Sequence, residues 1–168
     1  MSIDTVYQGL VKEVSDGINP KYILKTDAYN EAHVSGLAPK GCHIIDIDKD
    51  VVDKATSRGY PSRIGDIRKL EFKDNSLKAI LDLSTIDHIE EYILALNEYE
   101  RVLEFGGKLA IVVWLAPRSE TFGTQICFDK EGFIRELKER FKIVYQQKIE
   151  HKLAQTEEAE LISFIGVR

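Results

Sequence analysis

Between Ser84 and His88 the chain sets two hydroxyls, a carboxyl and an imidazole close together: Ser84, Thr85, Asp87 and His88. They follow directly on the apolar run Leu77 to Leu83, which puts them at the tip of a buried strand. At such a tip His88 or Asp87 can take a proton from a bound nucleophile, and the hydroxyls can orient it. A purely structural reading stands beside this one, in which Asp87 caps the next helix and His88 packs at its start. A second strand tip carries Asp46, in HIIDIDKDVV. A carboxylate there can accept hydrogen bonds from both hydroxyls of a ribose, or it can join Asp48 in capping a helix that begins at Lys49. No metal site is indicated. Cys42 and Cys127 lack ligand spacing, and His33, His43 and His151 have no partners in sequence.

The elements that must position these residues alternate. Periodicity predicts helices over Ile3 to Val14, Ala28 to Val34, Lys49 to Arg58 and Lys130 to Arg140. The last of these carries Phe133, Ile134, Leu137 and Phe141 on one face. Strands are predicted at Tyr22 to Leu24, Cys42 to Ile47, Pro61 to Ile64 and Leu77 to Leu83. After the polar tip a helix with apolar Ile93, Leu94, Leu96, Val102 and Leu103 runs to Gly106-Gly107, which should stop it, and a strand follows from Leu109 to Leu115. Strand, polar tip, helix and strand make one βαβ unit, whose ligand sites lie at the carboxyl ends of its strands. The segment Ala116 to Asp129 reads as a long loop, either a surface connection or a lid in which Trp114, Arg118 and Phe122 cover a substrate. Two alternating runs close the chain, Lys142 to Leu153 and Ala159 to Val167, joined at Gln155 to Glu158. Alternation predicts a parallel sheet with helices on both faces, and the paired final strands predict an antiparallel hairpin on it.

Composition narrows the function classes. At 168 residues the chain reads as one domain, large enough to bury a core without disulfides. Apolar residues make up 43% and charged ones 30%, and the net charge of −5 offers no global field for nucleic acid or an anionic membrane. MSIDTVYQGLVKEV lacks the basic start and apolar run of a secretory signal, and no apolar stretch reaches the roughly 18 residues of a membrane span. A cytoplasmic protein with a small-molecule partner is expected. Nothing in the sequence sets an oligomeric state.

The wording of several segments is familiar. ERVLEFGGKLAIVVW resembles the "RVLKPGG-strand" segment of class I S-adenosylmethionine-dependent methyltransferases of the type 11-like group, HIIDIDKD resembles their "GID-S" strand end, and GDIRKLEFKDNSLKAI resembles their "aDi-lPf-d-sFD-v" segment. The motifs cover about residues 20 to 115. The resemblance implies one α/β domain over residues 1–168 with a Rossmann-like methyltransferase fold: a mostly parallel seven-stranded sheet, a C-terminal antiparallel hairpin, and helices on both faces. It implies S-adenosylmethionine as cofactor. Asp46 with Ile47 would bind the ribose, Asp66 the adenine amine and the Ile67 N–H a ring nitrogen, while Ser84 and Thr85 would sit where methyl and acceptor meet, next to Asp87 and His88. The alternative role for Asp66 is that of a turn aspartate.

One segment departs from the pattern. The family places an acid and a glycine-rich turn after the first strand, so that the backbone can approach the methionine part of the cofactor. Here the text is ILKTDAYNEAHVSG, with Lys25 in the place of the acid and no glycine before Gly36. LKTD joined to a later STIDHI is similar to a divergent subgroup of these sequences. Either Asp27 replaces the missing carboxylate, with Lys25 turned outward or paired with Asp27, Glu31 or Asp46, or the pocket no longer holds the cofactor. Two functions therefore stand: methyl transfer from S-adenosylmethionine to a small or medium acceptor, and a non-catalytic nucleotide-binding or interaction module that kept the fold. A nicotinamide oxidoreductase is disfavoured by the absent G-x-G-x-x-G and by the terminal hairpin.

Overall fold

The computed structural model describes residues 2–29, 31–150 and 158–168. Helix α1 (Ile3–Ser15) starts where the Ser2 hydroxyl accepts from the Thr5 N–H, and its i, i+3/i+4 stripe of Val6, Tyr7, Leu10, Val11 and Val14 is buried. Strand β1 (Ile23–Lys25) is followed by β2 (His43–Asp46), helix α2 (Lys49–Ser57) and the short strand β3 (Arg63–Ile64). The carboxylate of Asp48 accepts from the N–H groups of Asp50 and Val51, the cap expected from sequence. Where a helix was expected over Ala28 to Val34, Glu31–Val34 forms a single tight turn.

Strand β4 (Leu77–Leu83) lies at the centre. Helix α3 (Tyr92–Val102) leads into β5 (Leu103–Ala116). The helix ends at Val102, before the Gly-Gly pair that was expected to stop it. The glycines belong to a looped-out step inside β5, where the partners shift from Leu77↔Leu103 to Ala79↔Lys108 and Gly106 takes a φ of 83°. The buried face of α3 is Ala95, Leu96, Tyr99 and Val102, whereas Ile93 and Leu94 are exposed.

The segment read as a loop contains a β-hairpin, β6 (Glu120–Phe122) and β7 (Gln125–Asp129), and β7 pairs in parallel with the end of β5. Helix α4 (Lys130–Arg140) buries Phe133 and Leu137, with Phe141 buried just beyond it and Ile134 half-buried. Strands β8 (Lys142–Ile149) and β9 (Glu160–Val167) complete the chain. The turn expected at Gln155 to Glu158 lies outside the described residues except for Glu158, and so does His151.

The sheet runs β3-β2-β1-β4-β5 with these strands parallel and branches at β5: one branch continues through β7 to β6, the other through β9 to β8, with β9 antiparallel to both of its neighbours. The branch through β9 and β8 gives the seven strands and terminal hairpin anticipated from sequence, and β6 and β7 raise the total among the described residues to nine. Leu109–Leu115 pairs with β9 from Gly166 back to Glu160. One apolar layer joins α1 to Ile23, Ile44, Leu81 and Val112, and the other joins α3 and α4 to Leu24, Ile45, Ile80 and Ile111. Alternate residues of each central strand therefore face opposite layers, and both faces of the sheet are covered. Every parallel strand ends at the same edge, and the cleft opens there. No helix among the described residues is long and apolar enough to cross a membrane.

Candidate functional site

The carboxyl ends of β3, β2, β1 and β4 line one cleft of about 560 Å³. Its walls include Thr26, Asp27, Asp46, Ile47, Gly65, Asp66, Ile67, Ser84, Thr85, His88 and Thr124. All seven residues expected to touch a cofactor are gathered there. Of the two residues expected to act as acid or base, His88 lines the cleft and Asp87 lies buried behind it.

The turn after β1 holds its shape without glycine. Lys25, the last residue of the strand, is fully buried. Its ammonium donates to the main-chain carbonyl of Asp27 and pairs with the Asp27 carboxylate, each at 2.7 Å. The other carboxylate oxygen of Asp27 accepts from the Tyr29 N–H at 3.0 Å, a side-chain turn that tightens the backbone where glycine would otherwise be needed. Of the three acids considered for Lys25, Asp27 is the partner, while Glu31 pairs with Arg58 at 2.7 Å. Thr85 donates to Asp27 Oδ2 at 3.4 Å and Thr26 donates to Thr85 at 2.8 Å, which ties the β1 turn to the tip of β4.

Asp46 ties the same turn to β2. One oxygen accepts from the Ala28 N–H at 3.0 Å and the other from the Asp48 N–H at 2.9 Å. Each oxygen keeps acceptor capacity toward the cleft, since a carboxylate offers about four lone-pair directions. Beside it Ile47 is 64% exposed, an apolar side chain presented at the cleft lip. Asp66 is more committed. Both of its oxygens accept from the Arg68 guanidinium, and the Arg68 N–H adds a further bond at 2.8 Å. These hydrogen bonds hold the Asp66 carboxyl below its ordinary range. Arg68 also reaches Glu91 at 3.2 Å.

The tip of β4 is built on a residue that sequence reasoning missed. Asp82 is fully buried, and its Oδ1 accepts from the N–H groups of Thr85 (2.8 Å) and Ile86 (3.2 Å) while Tyr99 donates to its Oδ2 at 2.6 Å. Those bonds hold a turn in which Ser84, not a glycine, takes a φ of 67°. Ser84 shares a 3.0 Å hydrogen bond with the Tyr7 hydroxyl from α1. Burial pushes the Asp82 carboxyl up to about 6 and the Tyr7 hydroxyl up to about 12.

Asp87 does not cap a helix. Its Oδ2 accepts from the Trp114 N–H and from the Gln125 amide, both at 3.3 Å, and its Oδ1 has no hydrogen-bond partner. The Nε2 of His88 stands 3.8 Å from that oxygen, and its Nδ1 donates to the Thr124 carbonyl at 3.0 Å. Both ring nitrogens of His88 thus face protein groups, and together Asp87 and His88 fasten the tip of the β6–β7 hairpin beside the cleft. Burial, then the nearby Asp82 charge, pushes the Asp87 carboxyl up to about 7. Trp114 is buried and Phe122 packs half-buried against the α1 layer, so of the three candidate lid residues only Arg118 is exposed. Among the described residues no cluster of His, Cys, Asp and Glu is arranged to hold a metal ion.

Comparison with known proteins agrees with this geometry. Residues 30–111 match the family model described as a methyltransferase domain. A demethylmenaquinone methyltransferase of Corynebacterium efficiens is 27% identical over 123 residues, 72% of this chain. The chain spans 54% of that relative's length and 38% of the length of a second curated relative. Among solved structures, the [4+2]-cyclase SpnF superposes with a TM-score of 0.79 at 16% identity, covering 98% of this chain and 81% of that one. A geranyl diphosphate methyltransferase in complex with S-adenosylmethionine superposes with a TM-score of 0.76 at 10% identity, covering 98% and 85%. The resemblance read from the sequence is to class I methyltransferases, and these matches bear it out. The fold itself is that of a Rossmann-like methyltransferase, a scaffold whose neighbours include both a methyltransferase and a cyclase.

Proposed function

We propose that this chain binds S-adenosylmethionine in the cleft and transfers its methyl group to a small or medium acceptor. The observation that carries the reading is an order of groups. Asp66 and Ile67 at β3, Asp46 and Ile47 at β2, Asp27 at β1, and Ser84 and Thr85 at β4 follow one another along a single cleft of about 560 Å³. That sequence of groups matches an adenine, a ribose and a charged amino-acid end in turn, and the volume lies within the range of small-molecule sites. The residues present fit the cofactor: Asp46 has spare acceptor capacity for two ribose hydroxyls, and the exposed Ile47 and buried Ile67 supply apolar cover for a base. Asp66, whose two oxygens each accept twice from Arg68, serves the adenine amine when Arg68 gives up one of those bonds, and the Ile67 N–H serves a ring nitrogen.

Bound there, the cofactor would supply an electrophilic methyl group on a sulfonium, with a neutral thioether as its leaving group. The chain's contribution is positioning, which suffices for much of the acceleration of such a transfer. Ser84 and Thr85, locked by Asp82, set the floor at the transfer point, and His88 with Thr124 borders the acceptor's side. The Nδ1 of His88 is spent on the Thr124 carbonyl, so His88 and Asp87 hold the hairpin in place, while the His88 Nε2, 3.8 Å from Asp87 and beyond hydrogen-bond reach of it, remains able to take a proton from the acceptor.

Calorimetric titration with S-adenosylmethionine and with its demethylated product, S-adenosylhomocysteine, tests the reading. Wild type should bind both. The Asp46→Ala variant removes the acceptor of two charge-assisted bonds of about 1.5–3 kcal/mol each at most, so affinity should fall roughly tenfold or more. Undiminished affinity in a variant with a native circular-dichroism spectrum would put the ribose elsewhere.

A further inference from the structure

We propose that the buried Lys25–Asp27 pair sets how the cleft discriminates between a sulfonium ligand and its neutral thioether counterpart. The inference rests on the cofactor reading above, and it concerns the one feature of the cleft in which this chain inverts a charge. Adenine and ribose contacts occupy the β3 and β2 ends, which leaves the β1 and β4 ends for the charged end of the ligand. Directly behind that wall lies the ammonium of Lys25, fully buried and 2.7 Å from Asp27. Asp27 is 13% exposed at its side chain and lines the cleft, and the Thr85 hydroxyl on the same carboxylate oxygen lines it as well. A ligand atom resting on Asp27 is therefore only about two contact lengths from the buried cation.

The electrostatic consequence follows from the sum of charges. A lone carboxylate at this wall would present −1 to the ligand and would favour a positive sulfur. With Lys25 paired to it the charge of Asp27 is offset, so the sulfonium gains less over the thioether than an unpaired carboxylate would give it. The two ligands carry the same adenosine, ammonium and carboxylate, so these contributions cancel in the ratio of their affinities, and what remains reports the charge at sulfur. Across one small cleft with a partly wet boundary, one unit charge moves that ratio by about tenfold.

The experiment measures the ratio by titrating wild type, Lys25→Met and Asp27→Asn with S-adenosylmethionine and S-adenosylhomocysteine. Methionine keeps the length and the apolar stem of Lys25 without the charge, leaving Asp27 negative, and the ratio should move about tenfold toward the sulfonium. Asparagine keeps the shape of Asp27 and leaves Lys25 positive, so the ratio should move about tenfold toward the thioether. Damage to the turn would weaken both ligands together and could not produce shifts of opposite sign. Should Lys25→Met fail to fold, the direction of the Asp27→Asn shift decides alone. A ratio that stays put, or that moves opposite to these directions, while wild type binds both ligands overturns this proposal and leaves the cofactor reading intact. Wild type that binds neither ligand overturns both.

Discussion

Replacing Asp82 by alanine should destabilise the protein by about 3–5 kcal/mol, the largest effect expected of any single change at the site. The carboxylate is fully buried and receives three donors, the Thr85 and Ile86 N–H groups and the Tyr99 hydroxyl. Alanine removes every acceptor at once, and a buried donor left without a partner costs about 1–3 kcal/mol. The loss also undoes the reason for the shape of the β4 tip, since Ser84 has no glycine freedom with which to hold its left-handed backbone unaided. Asp82→Asn, which keeps one oxygen for the two N–H groups, should cost clearly less. Urea unfolding of the three proteins measures this, and an alanine variant within 1 kcal/mol of wild type would show that the turn stands without its acid.

That arrangement explains what could and could not be read from the chain. Asp46 and the Ser84–Thr85 pair were legible because each sits at the end of an apolar run, where period and strand ends signal position, and Asp66 was legible through the resemblance of GDIRKLEFKDNSLKAI to a family segment. Asp82 was not, because a single acid inside LKAILDL looks like an interruption of a strand, and its partner Tyr99 comes from the next helix, 17 residues away. The pairing of Lys25 with Asp27 was open among three acids, since the choice depends on a backbone turn that Asp27 itself creates. The β6–β7 hairpin did carry a local signal that went unread. Phe122 and Gln125 pair across a two-residue turn, Gly123-Thr124, in which Gly123 has the positive φ (59°) that such turns require of their first residue. Asp87 was misplaced for a related reason. Its register at the β4 tip is next to the cleft in sequence, but the tight turn Ile86–His88 directs its carboxyl beneath the hairpin, toward Trp114 and Gln125.

The buried position of Asp87 should make folding stability fall as pH rises. Its carboxyl is pushed from 3.8 to about 7 by burial and by the charge of Asp82, so between about pH 4 and pH 7 the folded protein holds a proton that the unfolded chain has released. Stability then decreases with pH across that window, because the folded state binds more protons than the unfolded one. The contribution is fully present below about pH 4 and is lost as pH passes 7. One pKa unit corresponds to about 1.4 kcal/mol, so the total is at most about 4 kcal/mol. The neighbouring Cys127 thiol and Tyr7 hydroxyl are pushed up to about 11 and about 12 and stay neutral throughout. Asp82, raised to about 6, adds a like-signed slope that ends earlier. Asp87→Asn keeps an oxygen for the Trp114 and Gln125 donors and turns an amide toward His88 Nε2, so it should remain folded. Its stability relative to wild type should climb from pH 4.5 to pH 7 and level off by pH 8. A His88→Gln background removes the imidazole 3.8 Å away and shows what share belongs to it. Urea midpoints for the pair at pH 4.5, 6, 7 and 8 are the measurement, and a difference that does not change with pH would mean that Asp87 is ionised in the folded protein, with a partner for its second oxygen.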